Sequence, residues 1–301
     1  PSGIIPARSE AKWPSVPYHV RSITNYRIPR FYPVIGRCAM SQKISLNANV
    51  IKIIAILAMT VDHIAWAAFP GYPKEALPII MHIIGRITCP VMCYFIAEGY
   101  HYTRDINKYT VRLFGFAVIS HFAYIFASMD FVDWKSFLPF YYGNPLNQTS
   151  VMWSLAWGLV MLRVAMSEKI RSQAVQVLLI ILICIISFPS DWSCIAALCI
   201  MAFGTNRGKF KTQMLWMIFY VAIYAAVYFF AIDKVYGLMQ MAVVFSIPIL
   251  KLYNGKLGRN PLVNKCMKWF FYIYYPLHLF IIGLIPENSC ILCIGMVAAV
   301  Y

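Results

Sequence analysis

Acidic side chains are scarce: 11 Asp and Glu stand among 301 residues, against 26 Lys and Arg, and charge of either sign makes up only 12% of the chain. An ordinary soluble domain carries roughly a quarter, so a water-exposed globule is excluded. A P-loop and a Rossmann glycine fingerprint are both missing, which removes the common soluble nucleotide folds. The nine cysteines show neither zinc-site spacing nor a disulfide framework. Most, such as Cys89, Cys93, Cys184, Cys194 and Cys199, sit within apolar runs, where a thiol acts as a small buried hydrophobe. No metal is expected. What the chain has in abundance is apolar surface, at 61% hydrophobic residues and a mean hydropathy of +0.66. That composition describes a polytopic membrane protein, all-α because only helices and closed barrels satisfy their backbone in lipid.

Residues 1–46 differ from the rest. They scatter Pro, Ser, Arg and Tyr without periodicity and carry no apolar signal core, so they read as a basic, disordered extension. Met40 followed by Ser-Gln-Lys resembles a natural start, which would make the first 39 residues an upstream addition. Residues 47–301 then form one transmembrane domain. Apolar runs fall near 47–69, 76–101, 109–128, 149–166, 173–189, 191–205, 213–232, 235–252 and 267–285, most of them near the ~20 residues a spanning helix needs. Nine helices follow. The run after Asp191 is short and reads as half-inserted, and the apolar tail after Cys290 is too short to cross alone.

Loop charges test this count. Arg104, Lys108, Arg112, Arg163, Lys169, Arg171, Arg207, Lys209, Lys211, Lys251, Lys256, Arg259, Lys265 and Lys268 fall in alternate loops. The intervening loops hold only Lys74, Lys135 and Lys234 among basic residues, together with Glu75, Asp130, Asp133, Asp191 and Asp233. By the positive-inside rule the amino terminus lies inside and the carboxyl terminus outside. The basic excess therefore sets orientation, and no nucleic-acid partner is implied.

Within the first run, Ile53–Phe69 (IIAILAMTVDHIAWAAF), Asp62 and His63 stand side by side in nearly continuous hydrocarbon. Ionisable groups at that depth are expensive and mark function or pairing by default. Eleven residues separate Lys52 from His63. That is about 1100° of rotation and about 16 Å of rise, so both side chains lie on one stripe at opposite depths. Asp62, about 100° around from His63, cannot orient its imidazole. The second run brings Arg86 to the depth of Asp62, and an Asp62–Arg86 pair would make both tolerable. It carries Glu98 and Tyr102 to the inner end and should bend at Pro90. His278, one turn beyond Tyr274 and Tyr275 and next to Pro276, would line the same cavity or bond a neighbouring carbonyl. Tyr253-Asn-Gly-Lys reads as a helix-ending turn, Asn147 with Thr149 as a helix cap, and His121 with Tyr124 as packing groups. From the residues alone three readings stay open for Asp62, His63 and Arg86: a polar clasp between helices, a proton or substrate relay of a transporter, or general base catalysis by the histidine. A transporter would be expected to show an internal repeat with interrupted helices in matching positions, and none is evident.

The runs from Lys52 to Phe69, Ile84 to Pro90, Glu98 to Arg104 and Lys108 to Leu113, then Leu252-Tyr-Asn-Gly-Lys and Phe270 to Leu279, resemble in order and spacing the TraX family, over most of residues 47 to 285. That resemblance implies a multi-pass protein of the bacterial inner membrane, associated with conjugation, whose founding activity is acetylation of a pilin amino terminus. More distantly, Lys52-x10-His63 and the Gly85-Arg86-x3-Pro90 stretch are similar to acyltransferase family 3 membrane enzymes, although Glu98-Gly99 stands where those typically have Ser-Gly. The similarity implies an acetyltransferase using acetyl-CoA, with His63 as base and Asp62 and Arg86 holding its environment. Lys52, Glu98, Tyr102, Arg104, Lys108 and Arg112 would meet the donor, and Tyr274, Tyr275 and His278 would line the path to an amine or hydroxyl acceptor in the membrane or periplasm. A proton-coupled permease and a non-catalytic pilus or envelope assembly factor are the alternatives.

Overall fold

A computed structural model describes residues 45–128, 134–138 and 147–284. The basic extension, apart from its last two residues, and the apolar tail after Cys290 lie outside the described residues. Among those described there is no strand, only two isolated parallel bridges, Leu46 to Tyr253 and Thr149 to Ser190.

The helices are α1 Ala48–Ala68, α2 Ala76–Gly85, α3 Thr88–Tyr102, α4 Ile106–Ala127, α5 Val151–Ala165, α6 Gln173–Ser187, α7 Ile195–Thr205, α8 Phe210–Ala231, α9 Lys234–Met239, α10 Ser246–Lys251 and α11 Pro261–Gly283. Nine apolar runs become eleven α-helices because two runs are interrupted. Pro90 has no N–H to offer the Arg86 carbonyl, so the second run breaks at Arg86-Ile87 into α2 and α3. Pro248 does the same to the Val244 carbonyl in the eighth run, where Gln240–Phe245 tightens into a 3₁₀ segment between α9 and α10. Counted as apolar segments among the described residues the nine remain, and five of them are long and apolar enough to cross a bilayer.

Short polar residues start the helices. Asn47 accepts from the Val50 amide, Ser172 from Val175, and Asn260, ahead of Pro261 at the first turn, from Leu262 and Val263. Asp105 accepts from the Lys108 amide and Asp233 from Val235 and Tyr236. These amides hold both carboxyls below the usual range. The cap expected at Asn147 and Thr149 belongs instead to Ser150, and Asn147 takes a left-handed conformation (φ 52°).

The 11-residue α7 rises only about 16 Å, and it is buried along almost its whole length between α3, α5 and α8. It starts from a turn sunk in the protein, where Trp192 and Ser193 adopt left-handed backbone (φ 63° and 49°). The turn is held by bonds from the Ser154 hydroxyl to the Ser193 carbonyl (2.6 Å) and from Ser190 to the Ser187 carbonyl (2.7 Å). The short helix expected after Asp191 is therefore present, packed inside the bundle. α6 and one face of α8 turn leucine, isoleucine, valine and phenylalanine outwards, as lipid contact requires.

At the start of α1, the segment after α10 wraps the helix end. Ala48 donates to the Lys256 carbonyl, Asn254 to Leu46, and Asn49 reaches Asn264 on α11 at 2.7 Å. The Leu252–Lys256 turn thus ends α10 and also carries Lys256 to the mouth of a cavity.

Candidate functional site

Two cavities lie at opposite ends of α1. The first, about 840 Å³, is lined by Lys52, Glu98, Tyr102 and Arg112 together with Lys256 and Lys268. The second, about 550 Å³, is lined by Asp62, His63, Arg86, His82 and Asp191, with a tyrosine wall of Tyr72, Tyr124, Tyr224, Tyr228 and Tyr236. The stripe that joins Lys52 to His63 in the sequence thus connects a lysine end to a histidine end.

At the lysine end, the Lys52 ammonium rests over the rings of Phe95 and Phe271, 5.0 and 5.3 Å from their centroids. Among the described residues no carboxylate pairs with it. Arg112 stacks between Tyr109 and Tyr272 with its Nε unbonded. The one acid in the lining, Glu98, is taken by Arg207, whose Nε and Nη2 donate to it at 2.9 and 3.4 Å. That bond raises the Arg207 pKa and keeps its charge fixed. Arg207 also lies over the Tyr102 ring. Among the described residues four cations therefore face an apolar chamber with no free carboxylate to answer them, an arrangement that attracts phosphate. Of the basic residues expected to meet a donor, Arg112 and Lys52 line this space. Arg104 and Lys108 do not; both are exposed, and Lys108 pairs with Asp105 at 3.4 Å.

At the histidine end the hydrogen bonds fix a tautomer. His278 Nδ1 lies 2.9 Å from the Tyr274 carbonyl, which can only accept, so that nitrogen carries the proton and donates. In the neutral ring His278 Nε2 is then an acceptor. His63 Nδ1, 2.6 Å away, donates to it, leaving His63 Nε2 with its lone pair free, without a hydrogen bond among the described residues. His278 is itself buried behind His63, with the two rings stacked at 4.9 Å. It bonds a neighbouring carbonyl, and contrary to the expectation from sequence neither it nor Tyr274 nor Tyr275 is among the residues lining either cavity: all three are packed behind that lining. Tyr274 stacks on His278 and pairs with Thr60 at 2.7 Å, while Tyr275 meets His63 edge-on at 6.3 Å.

Asp62 faces a different set of partners, as its position around the helix requires. His82 Nδ1 donates to it at 2.8 Å and Arg86 Nη2 lies at 3.7 Å. The carboxylate packs so closely on Gly85 that a Cβ there would lie within 2.5 Å of it. This explains the glycine before Arg86: only a bare backbone lets α2 bring His82 and Arg86 onto one carboxylate. Across the cavity the Arg86 guanidinium lies 5.5 Å from the Trp192 ring, and Trp192 stacks on Tyr224. The neighbouring Asp191 lines the same cavity.

Sequence reasoning brought Lys52, Asp62, His63, Arg86, Glu98, Tyr102 and Arg112 to the cavities, and Tyr274, Tyr275 and His278 to the side of His63. It missed His82, although four residues before Arg86 is the helical spacing that puts both on one face. Asp191 was counted as a loop acid, and Lys256 and Lys268 as orientation charges. His121, read as a packing group, is held between Thr149 at 3.0 Å and the Phe137 carbonyl at 2.9 Å.

Fold and site together define a multi-pass helical membrane protein with a cation-lined chamber at one end and a histidine–carboxylate chamber at the other. The chain belongs to the TraX family: residues 47–286 match the family described as TraX protein. It is 26% identical over 254 residues to the probable fimbrial assembly protein FimC, serogroup H1, of Dichelobacter nodosus, covering 80% of this chain and 96% of the relative. A shorter stretch of 67 residues is 37% identical to the uncharacterized protein RP591 of Rickettsia prowazekii (strain Madrid E), 22% of this chain and 23% of that one. No solved structure matches.

Proposed function

We propose that the protein is an acyltransferase of the bacterial inner membrane that takes an acetyl group from acetyl-CoA at the lysine end and delivers it to an amine or hydroxyl acceptor at the histidine end. The observation that carries this reading is the placement of Lys52 and His63 in separate cavities on one stripe of one helix. Acetyl-CoA is an anionic substrate with a long uncharged arm. Lys52, Arg112, Lys256 and Lys268 suit its phosphates, and the apolar, aromatic chamber suits the arm. The loop charges support a cytoplasmic lysine end, where such a donor is found.

At the other end His63 Nε2 is the base. It removes a proton from the acceptor as the acceptor attacks the thioester carbon, and the imidazolium that forms keeps its Nδ1–H on His278. Asp62 lies beside it as the nearest negative charge, while Arg86 and His82 hold Asp62 in place. The fimbrial assembly relative supports an acceptor among components of a surface fibre. The same resemblance favours a second reading, an assembly factor without catalysis.

The two separate on donor binding. Replacing Lys52 with glutamine removes one charged phosphate contact, and acetyl-CoA should bind about tenfold more weakly, the equivalent of roughly 1.4 kcal/mol. Isothermal titration of the purified protein and the variant measures this. Absence of acetyl-CoA binding by the wild-type protein would favour the assembly role.

A further inference from the structure

We infer that Cys184 and Cys194 are joined by a disulfide that ties α6 to the turn beside the histidine-end cavity. The inference is independent of the acyltransfer reading and depends only on the orientation that the loop charges support. Cys184 lies in the last turn of α6, and Cys194 is the residue from which α7 starts. Packing brings the two segments together. Cys184 and Leu198 both rest against the cluster of Met161, Ile183 and Ala197, and the Leu198 amide donates back to the Cys194 carbonyl at 3.0 Å. The Cys184 and Cys194 side chains meet thiol to thiol, within hydrogen-bonding reach.

A second adjacent pair shows what sets this one apart. Cys89 and Cys93 stand 3.8 Å apart, but they lie one turn from each other on the same helix and are buried in the core, out of reach of an oxidant. Cys184 and Cys194 come from separate segments, and both are partly exposed free thiols. The stretch between them, residues 185–193, carries no Lys or Arg. By the positive-inside rule it belongs to the outer end of the bundle. Disulfides form and persist where thiols are held together on the oxidising side of a membrane.

The ring so closed contains Asp191 and Trp192. Asp191 lines the histidine-end cavity, and the Trp192 ring lies 5.5 Å from the Arg86 guanidinium. α6 packs chiefly on α5, touches α7 more lightly and turns an apolar face to lipid. A covalent link here fastens this outer helix to the cavity wall and restricts the unfolded chain. Its formation balances by thiol–disulfide exchange. A protein disulfide outside the membrane is the oxidant: the thiolate of one cysteine attacks it to give a mixed disulfide, and the second cysteine then displaces that partner. The Cys184–Cys194 sulfur–sulfur bond forms as the oxidant's own is broken. The oxidant leaves as a dithiol, holding the two electrons and both thiol protons.

The test uses the full chain in the inner membrane of a bacterial host, quenched in acid and denatured with N-ethylmaleimide so that every free thiol is capped. Trypsin cutting after Arg171 and Arg207 releases one peptide that carries Cys184, Cys194 and Cys199. Mass spectrometry should find it capped at Cys199 alone, with Cys184 and Cys194 accepting caps only after reduction. Caps on Cys184 and Cys194 before reduction overturn the disulfide, and so does a link from either one to any other cysteine. Cys184→Ser and Cys194→Ser should each lower the melting temperature of the purified protein by about 5 °C. Reducing agent should lower that of the wild type equally and leave both variants unmoved. A wild-type protein that carries the link and melts at the same temperature after reduction overturns its role as a fastening.

Discussion

Replacing His63 with alanine is expected to reduce acyl transfer by about 10²- to 10⁴-fold, the usual contribution of a positioned general base, while the protein still folds and binds acetyl-CoA. The direction follows from the tautomer chain. The Tyr274 carbonyl fixes the proton on His278, His278 in its neutral form fixes the proton of His63 on Nδ1, and His63, with Nε2 left free, lines the cavity. Alanine removes the base without burying a new charge, because His63 pairs only with the neutral His278. Transfer rate and melting temperature measured on the same preparation decide the matter. Normal transfer would remove His63 from the reaction. A collapse of melting with no catalytic reading possible would return the cluster to the helix clasp.

Asp62→Asn should act on the fold more than on any single step. The variant keeps an acceptor for His82 but withdraws the charge that answers Arg86, a guanidinium buried at this end with Nε already unbonded. Breaking one partner of such a pair costs about 3–5 kcal/mol, and the lower end is expected here because Asp191 lies close enough to take part of the load. The double variant Asp62→Asn/Arg86→Gln should recover a substantial part of that loss, since it leaves neither charge alone. Unfolding in detergent, followed by circular dichroism for the two single variants and the double, measures the coupling. Additive losses would mean that Asp62 and Arg86 do not act as a pair.

Much of the fold was legible because hydrocarbon permits few solutions. Apolar runs of spanning length have to be helices, and their number survives even where Pro90 and Pro248 break them into pieces. The stripe from Lys52 to His63 was legible for the same reason: a helix of fixed pitch converts a spacing of eleven into a direction. Partners brought from distant segments were harder to read. Nothing local to His278 says whether its ring faces a carbonyl, lipid or another histidine; only the packing of α11 on α1 decides that it does two of these at once. Asp191 looks like any loop acid until the left-handed turn at Trp192 and Ser193 folds it inwards. Lys256 and Lys268 look like orientation charges, and they serve the cavity because the turn after α10 clamps the start of α1. Gly85 is a further case, since the need for a bare backbone appears only when Asp62 is placed against it.

The central claim, that one chemical step joins a chamber at each end of α1, is tested most directly with the two substrates kept apart. Proteoliposomes holding the full chain would enclose labelled acetyl-CoA, with a membrane-impermeant peptide bearing a free amino terminus supplied only outside. The account predicts that label appears on the external peptide at a rate set by the protein and abolished by His63→Ala. Labelling that occurs only when donor and peptide share a compartment would contradict it.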